Sequence, residues 1–203
     1  SIFILSLFYF GDSRLGGWTW EEALLVLGYY TFLEGITTSL LQPNLSKIVQ
    51  HVQQGTLDFV LLKPIDSQFW VSLRMFSPWG IPSLFSGVVL IVFSVARSSL
   101  VIAIRPFLLS ILMLATSLVI LYSLWFLLAT TSIWFVRVWN ATEVLRSILV
   151  AGRYPISSYP YALRIFFTFF LPVAFLTTVP AQVLTGRSTD LLVILSIILA
   201  TLF

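Results

Sequence analysis

Near-continuous apolar runs of about 20 residues, the length at which an α-helix crosses the hydrocarbon core of a bilayer, dominate this chain of 203 residues. Short polar segments separate them. Strict alternation over about ten residues, the mark of a membrane β-strand, is not the pattern. The expectation is therefore all-α: a polytopic helical membrane protein forming a single transmembrane domain over 1–203. Six transmembrane helices are expected, the first and last truncated in this chain. Residues 1–10 supply part of the first span. The second begins at Thr19, which forms a capping box with Glu22 and is flanked by Trp18 and Trp20 as interfacial aromatics, and it runs to about Gln42. Phe69, Leu73 and Phe76 recur at helical spacing before Pro78 and Pro82 interrupt the entry to a third span that ends near Ala96. The fourth follows Pro106 and runs over 107–135, the fifth covers about 161–178 with Pro172 inside it, and the sixth starts near Asp190.

One polar segment, 43–67 between spans two and three, has a pattern of its own. Leu45, Ile48, Val49 and Val52 fall at i, i+3, i+4 and i+7, one stripe of a helix, while Ser46, Lys47, Gln50, His51, Gln53 and Gln54 fill the other face. Gly55 ends that helix, since a residue without Cβ takes the left-handed conformation at little cost. Thr56 is placed to cap a second short helix, Asp58 lies in its first turn, where the helix dipole favours negative charge, and Pro64 stops it. Two short helices at an elbow suit the meeting of a membrane protein with a soluble partner. The plainer alternative is a linker lying on the lipid headgroups.

Composition sharpens the class. At 59% hydrophobic and 9% charged the chain is far from a soluble domain, whose charged share is about a quarter. Its net charge of +3 is small and scattered, which argues against nucleic acid, and without cysteine it has neither disulfides nor thiolate chemistry. Threading the spans alternately puts Lys47, Lys63, Arg74, Arg137, Arg146, Arg153 and Arg164 on one side and Arg14, Arg97, Arg105 and Arg187 on the other. The positive-inside rule then turns the elbow, a second segment at 137–160 and both termini toward the cytoplasm, in a multi-pass protein of the cell inner (plasma) membrane.

No enzyme is expected in this chain. Its eight acidic residues are dispersed and form no paired-carboxylate, His-Glu-x-x-His or glycine-rich phosphate motif. No catalytic or metal site is therefore assigned. His51, the only histidine, reads as a solvated side chain on the polar face of the elbow. Glu34 is the clearest intramembrane charge and, with nearby Thr37 and Thr38, forms a possible substrate path; the competing reading is a bond from Glu34 to a neighbouring helix.

The stretch 54–66, Gln-Gly-Thr-Leu-Asp-Phe-Val-Leu-Leu-Lys-Pro-Ile-Asp, resembles the Gly-x-Leu-Asp-x-x-Leu-x-(Arg/Lys)-Pro signature that follows the second span in a subfamily of type-two ABC transporter permeases. Tyr154-Pro155, the Pro-Val-Ala-Phe…Pro-Ala run of 172–181 and, more weakly, Gly16-Gly17-Trp18-Thr19 are similar to further landmarks of that subfamily, in the same order. The resemblance implies a permease subunit of an ATP-driven ABC exporter. It would pair with a second permease subunit, as a homo- or heterodimer, and with cytoplasmic ABC ATPase subunits. ATP and magnesium would reside on that partner, with no cofactor here. Gly55, Thr56, Leu57, Asp58, Lys63 and Pro64 would shape a coupling helix docking on the ATPase. A non-transporting membrane scaffold, anchoring a cytoplasmic complex through the same elbow, is the alternative.

Overall fold

The computed structural model describes residues 5–6, 9, 16–98, 103–134, 145–187 and 190–202, and every regular element among them is helical. Most of the first span, and with it Arg14 and Arg137, lies outside the described residues. Helix α1, Trp20–Ile36, opens with the expected capping box: the Glu22 N–H donates to Thr19 Oγ1 at 3.4 Å and the Thr19 N–H to Glu22 Oε2 at 2.8 Å.

The rod does not stop where its apolar run fades. It passes through one π-helical turn, Thr37–Leu41, into α2, Gln42–Gln53, so that Trp20–Gln53 is one helix of 34 residues. The first elbow helix is thus the end of span two rather than a separate unit. Pro43 gives the reason for the widened turn. It has no N–H for the Ser39 carbonyl, and its ring would crowd that carbonyl in an α-helix. Ser39 O instead accepts the N–H of Ser77 at 2.8 Å.

Two short helices follow, α3 (Leu57–Leu61) and α4 (Ser67–Leu73), and a 3₁₀ turn, Pro78–Gly80, leads into α5, Ile81–Arg97. Helix α5 runs antiparallel to α1 along a seam of glycines. A Cβ on Gly35 would lie 2.6 Å from Leu84 N, one on Gly87 2.5 Å from Phe32 N, and one on Gly28 2.8 Å from Ile91 Cγ1. In a bilayer, where apolar side chains gain nothing by leaving lipid, such close backbone approach is a main source of helix association. The other side of α5 exposes Phe85, Val88, Val89, Val92 and Phe93, a surface suited to lipid.

Helix α6, Ile104–Thr131, returns through the middle of the molecule. Its Met113, Ile120 and Trp125 are fully buried, in a core that includes Leu45 and Ile48 of α2 and Phe175 and Val179 farther along the chain. Among the described residues, three helices are thus long and apolar enough to cross a membrane: Trp20–Gln53, Pro78–Arg97 and Ile104–Thr131.

The fifth span departs from expectation. Helix α7 (Tyr161–Ile165) continues through a π-helical stretch, Phe166–Phe170, and meets α8 (Val173–Leu184) at 97° across Leu171 and Pro172. Both ends of this pair reach the same place. Ser157 Oγ donates to Gly16 O at 3.0 Å before it, and Arg187 Nη1 donates to Gly17 O at 2.9 Å after it. The chain therefore enters and leaves at the Gly16–Gly17 end of α1, with its corner deep in the fold, instead of crossing straight through 161–178. Pro172 sets the break, since a residue preceding proline is pushed out of helical conformation and Leu171 has φ −123° and ψ 100°. Helix α9, Asp190–Leu202, then packs on α6.

The same contacts locate the described part of 137–160 relative to α1. Its described part climbs from Arg153, beside Glu34, to Ser157, beside Gly16, at the end of α1 opposite the elbow. Arg164 follows it there, donating to Ser157 O at 2.8 Å.

Candidate functional site

Two regions gather the polar residues that sequence singled out. The elbow is built from backbone upward. Gly55 adopts φ +66°, its N–H reaches Val52 O at 3.2 Å, and the Thr56 N–H reaches His51 O at 2.9 Å, a Schellman closure of α2. Thr56 does not cap α3 with its side chain. Its hydroxyl instead pairs with His51 Nδ1 at 2.8 Å, so His51 is a fixed part of the turn and not merely solvated. Asp58 is exposed in the first turn of α3, between Leu57 and an exposed Phe59. Lys63 lies 4.0 Å above the Trp70 ring, and Pro64 follows the end of the helix. The tip thus presents an acid among bare apolar side chains, with Phe59 71% and Leu62 81% exposed.

Asn44 ties this tip to the membrane helices, and sequence reading missed it. Its Nδ2 donates to Leu40 O and Met75 O, and its Oδ1 accepts from the Met75 N–H, each at 2.7 Å. A buried amide satisfied on both its atoms clamps the entry to α5 against the end of α1. The only sequence cue was an asparagine immediately after a proline, an ordinary turn signal.

The second region is a cavity of about 150 Å³. Glu34, Thr37 and Thr38 all line it, together with Tyr30 from α1, Arg146 and Arg153, and an apolar wall that includes Leu121 of α6 and Leu176 of α8. At 1.5 Å per residue Glu34 is about 21 Å along the helix from Trp20, well inside a bilayer core of about 30 Å. Arg153 Nη2 lies 3.8 Å from Glu34 Oε1, and its guanidinium sits 5.0 Å from the Tyr30 ring centroid. Glu34 thus borders a cavity and also pairs with a neighbouring segment. Thr177 Oγ1 donates to Gly152 O at 2.9 Å and holds the turn that carries Arg153. The hydroxyl of Thr37 is spent locally on Leu33 O. No cluster of metal-ligating side chains occurs among the described residues.

Long apolar helices, with an exposed helical tip at one end and a charged cavity among them, define a helical membrane protein. The chain belongs to the ABC-2 family of transporter proteins, whose model matches residues 1–203. Members of that family are membrane components of ABC transporters, associate with ABC ATPases and are generally not catalytic themselves. No curated protein and no solved structure matches the chain.

Proposed function

We propose that this chain is the permease subunit of an ATP-driven ABC exporter. It forms the translocation path with a second permease subunit, identical or related, and receives its drive from separate cytoplasmic ATPases that carry the ATP and magnesium. The observation that carries this reading, beside family membership, is the mechanical continuity of the elbow. The 34-residue helix runs directly to the Gly55 turn that carries the tip, and Asn44 joins that helix to Met75, just ahead of α5. Movement of a docked ATPase would therefore reach both helices at once, and the glycine seam would carry it along α1 and α5 as a pair.

In this reading Leu57, Phe59 and Leu62 fill an apolar groove on the ATPase, Asp58 meets a polar group at its rim, and Gly55, Thr56, Lys63 and Pro64 hold the tip in shape. The elbow faces the cytoplasm of the inner membrane because that is where its partner is, and the termini share that side. The Glu34 cavity, with Thr37 and Thr38, lies on the substrate path. Closure of the elbow alters the tilt of α1 and hence the wall that these residues provide.

The test is co-purification of the full-length chain with an ATP-binding subunit. Asp58→Ala is expected to leave the permease inserted while reducing ATPase retention by about tenfold, the effect of losing one charge-assisted hydrogen bond. Retention of a partner without ATP-binding motifs, and of no ATPase, would favour the scaffold.

A further inference from the structure

A third polar site lies on the flank of the elbow, separate from its tip. Asn44, Lys47, His51, Val60, Trp70 and Arg74 are among the residues around a pocket of about 230 Å³, between α2 on one side and α4 on the other. Its charges have one sign. Lys47 and Arg74 border it, and Lys63 reaches the same indole, with its Nζ 4.0 Å and the Arg74 guanidinium carbon 5.1 Å from the Trp70 ring centroid. The elbow's two carboxylates, Asp58 and Asp66, do not neutralise this group, since neither lies within 4 Å of a described cation. Asp66 instead accepts the Phe69 N–H at 2.7 Å as the cap of α4.

Two cations drawn onto one aromatic ring repel each other, and each cation–π contact offsets only part of that repulsion. The Nε1–H of Trp70 is itself buried without an acceptor. Excess positive charge from Lys47 and Arg74 around one pocket suits an anion with several acceptor oxygens. The surroundings point to where such an anion comes from. Phe69, Leu73, Phe76 and Trp79 are exposed along α4 and the entry to α5, as on a helix whose apolar side rests in the bilayer interface.

We propose that this pocket binds a phosphate group, supplied by the headgroup of an anionic phospholipid whose acyl chains lie against Phe69, Leu73 and Phe76. The site rests on membrane placement of the elbow and not on which partner docks at its tip. The single negative charge of a bound phosphodiester offsets part of the positive charge of Lys47 and Arg74 and braces α4 against α2, so that lipid charge sets the stiffness of the elbow.

The experiment is native mass spectrometry of the full-length chain in mild detergent. It is titrated separately with phosphatidylglycerol, with phosphatidylcholine of the same acyl chains, and with inorganic phosphate. One phosphatidylglycerol per chain is expected to be retained in preference to phosphatidylcholine, and Lys47→Gln with Arg74→Gln should lower that preference by about tenfold. Trp70→Phe, which keeps the ring and deletes the N–H, should lower it less. Saturable phosphate binding that disappears in the double variant, without lipid preference, would support the phosphate site and assign it to a soluble ligand. Equal retention of both lipids with no phosphate binding, or a preference unchanged in the double variant, would overturn the proposal. Co-purification of the ATPase is scored on the same preparations, so loss of the lipid site and failure of the transporter reading are distinguishable.

Discussion

Asn44 is the residue whose loss has the clearest structural consequence. Replacement by alanine removes three hydrogen bonds and leaves the Met75 N–H and C=O without their side-chain partner. The expected cost is about 1–3 kcal/mol, the penalty of stranding a buried polar group. A thermal unfolding scan of the purified protein checks it: Asn44→Ala should melt below the parent, and an unchanged midpoint would show that the clamp carries no load. Legibility at this scale follows sequence distance. The capping box of Thr19 and Glu22 and the left-handed turn at Gly55 were both readable, because each is settled within a few residues. Asn44 acts on Met75, 31 residues away, and Glu34 on Arg153, beyond two intervening spans; neither partner can be read from local spacing. Thr56 was readable as a turn residue but not in its bond, since a capping hydroxyl and one paired to His51 leave the same trace in sequence.

At the level of elements, the long apolar runs were legible as membrane-capable helices, while their joins were not. The second span was expected to end at about Gln42, yet a π-turn accommodates Pro43 and the helix continues to Gln53. Pro172 was placed inside a crossing helix, yet the chain turns back to the end from which it came. In both cases the sequence locates a disturbance, and only packing decides whether it bends, widens or reverses the chain. The reversal is testable because the chain contains no cysteine. Single cysteines at Gln54 and at Gly186 should react with a membrane-impermeant thiol reagent from opposite sides, and one at Tyr161 should share the side of Gly186. Labelling of Tyr161→Cys from the elbow side would restore a straight fifth span. The glycine seam is the second test. Gly87→Leu forces a side chain against the Phe32 backbone, and overpacking of this kind typically costs about 1–3 kcal/mol. Separation of α1 from α5 should appear as faster amide exchange along α5. Leucine on the open face, at Val92, should have no such effect.

For the whole molecule, one helix runs from the wall of the charged cavity to the Gly55 turn that carries the exposed apolar tip, and in the proposed function this joins docking to transport. From Glu34 to Asp58 the chain runs through α1, α2 and the Gly55 turn, so displacement of the tip has a direct path to the cavity wall. The pair formed by Arg153 and Glu34 would sense it. At 3.8 Å, with both side chains about one-third exposed, it is a loose contact that a small helix tilt can make or break. Glu34→Gln should therefore alter the dependence of transport on ATP without preventing docking of the ATPase. The matching check is ATPase activity of the reconstituted complex beside its co-purification. Loss of docking in this variant would place Glu34 in structural support instead.

The central claim is that an ATP-binding subunit drives this chain through its elbow. The most direct measurement is gentle purification of the full-length chain from its native membrane, with identification of every protein that accompanies it. The account predicts a stoichiometric ATP-binding subunit, retained by the parent and lost on Asp58→Ala or on Gly55→Val, which forbids the left-handed turn. A reproducible complex without an ATPase, or an ATPase held equally by both variants, would contradict it.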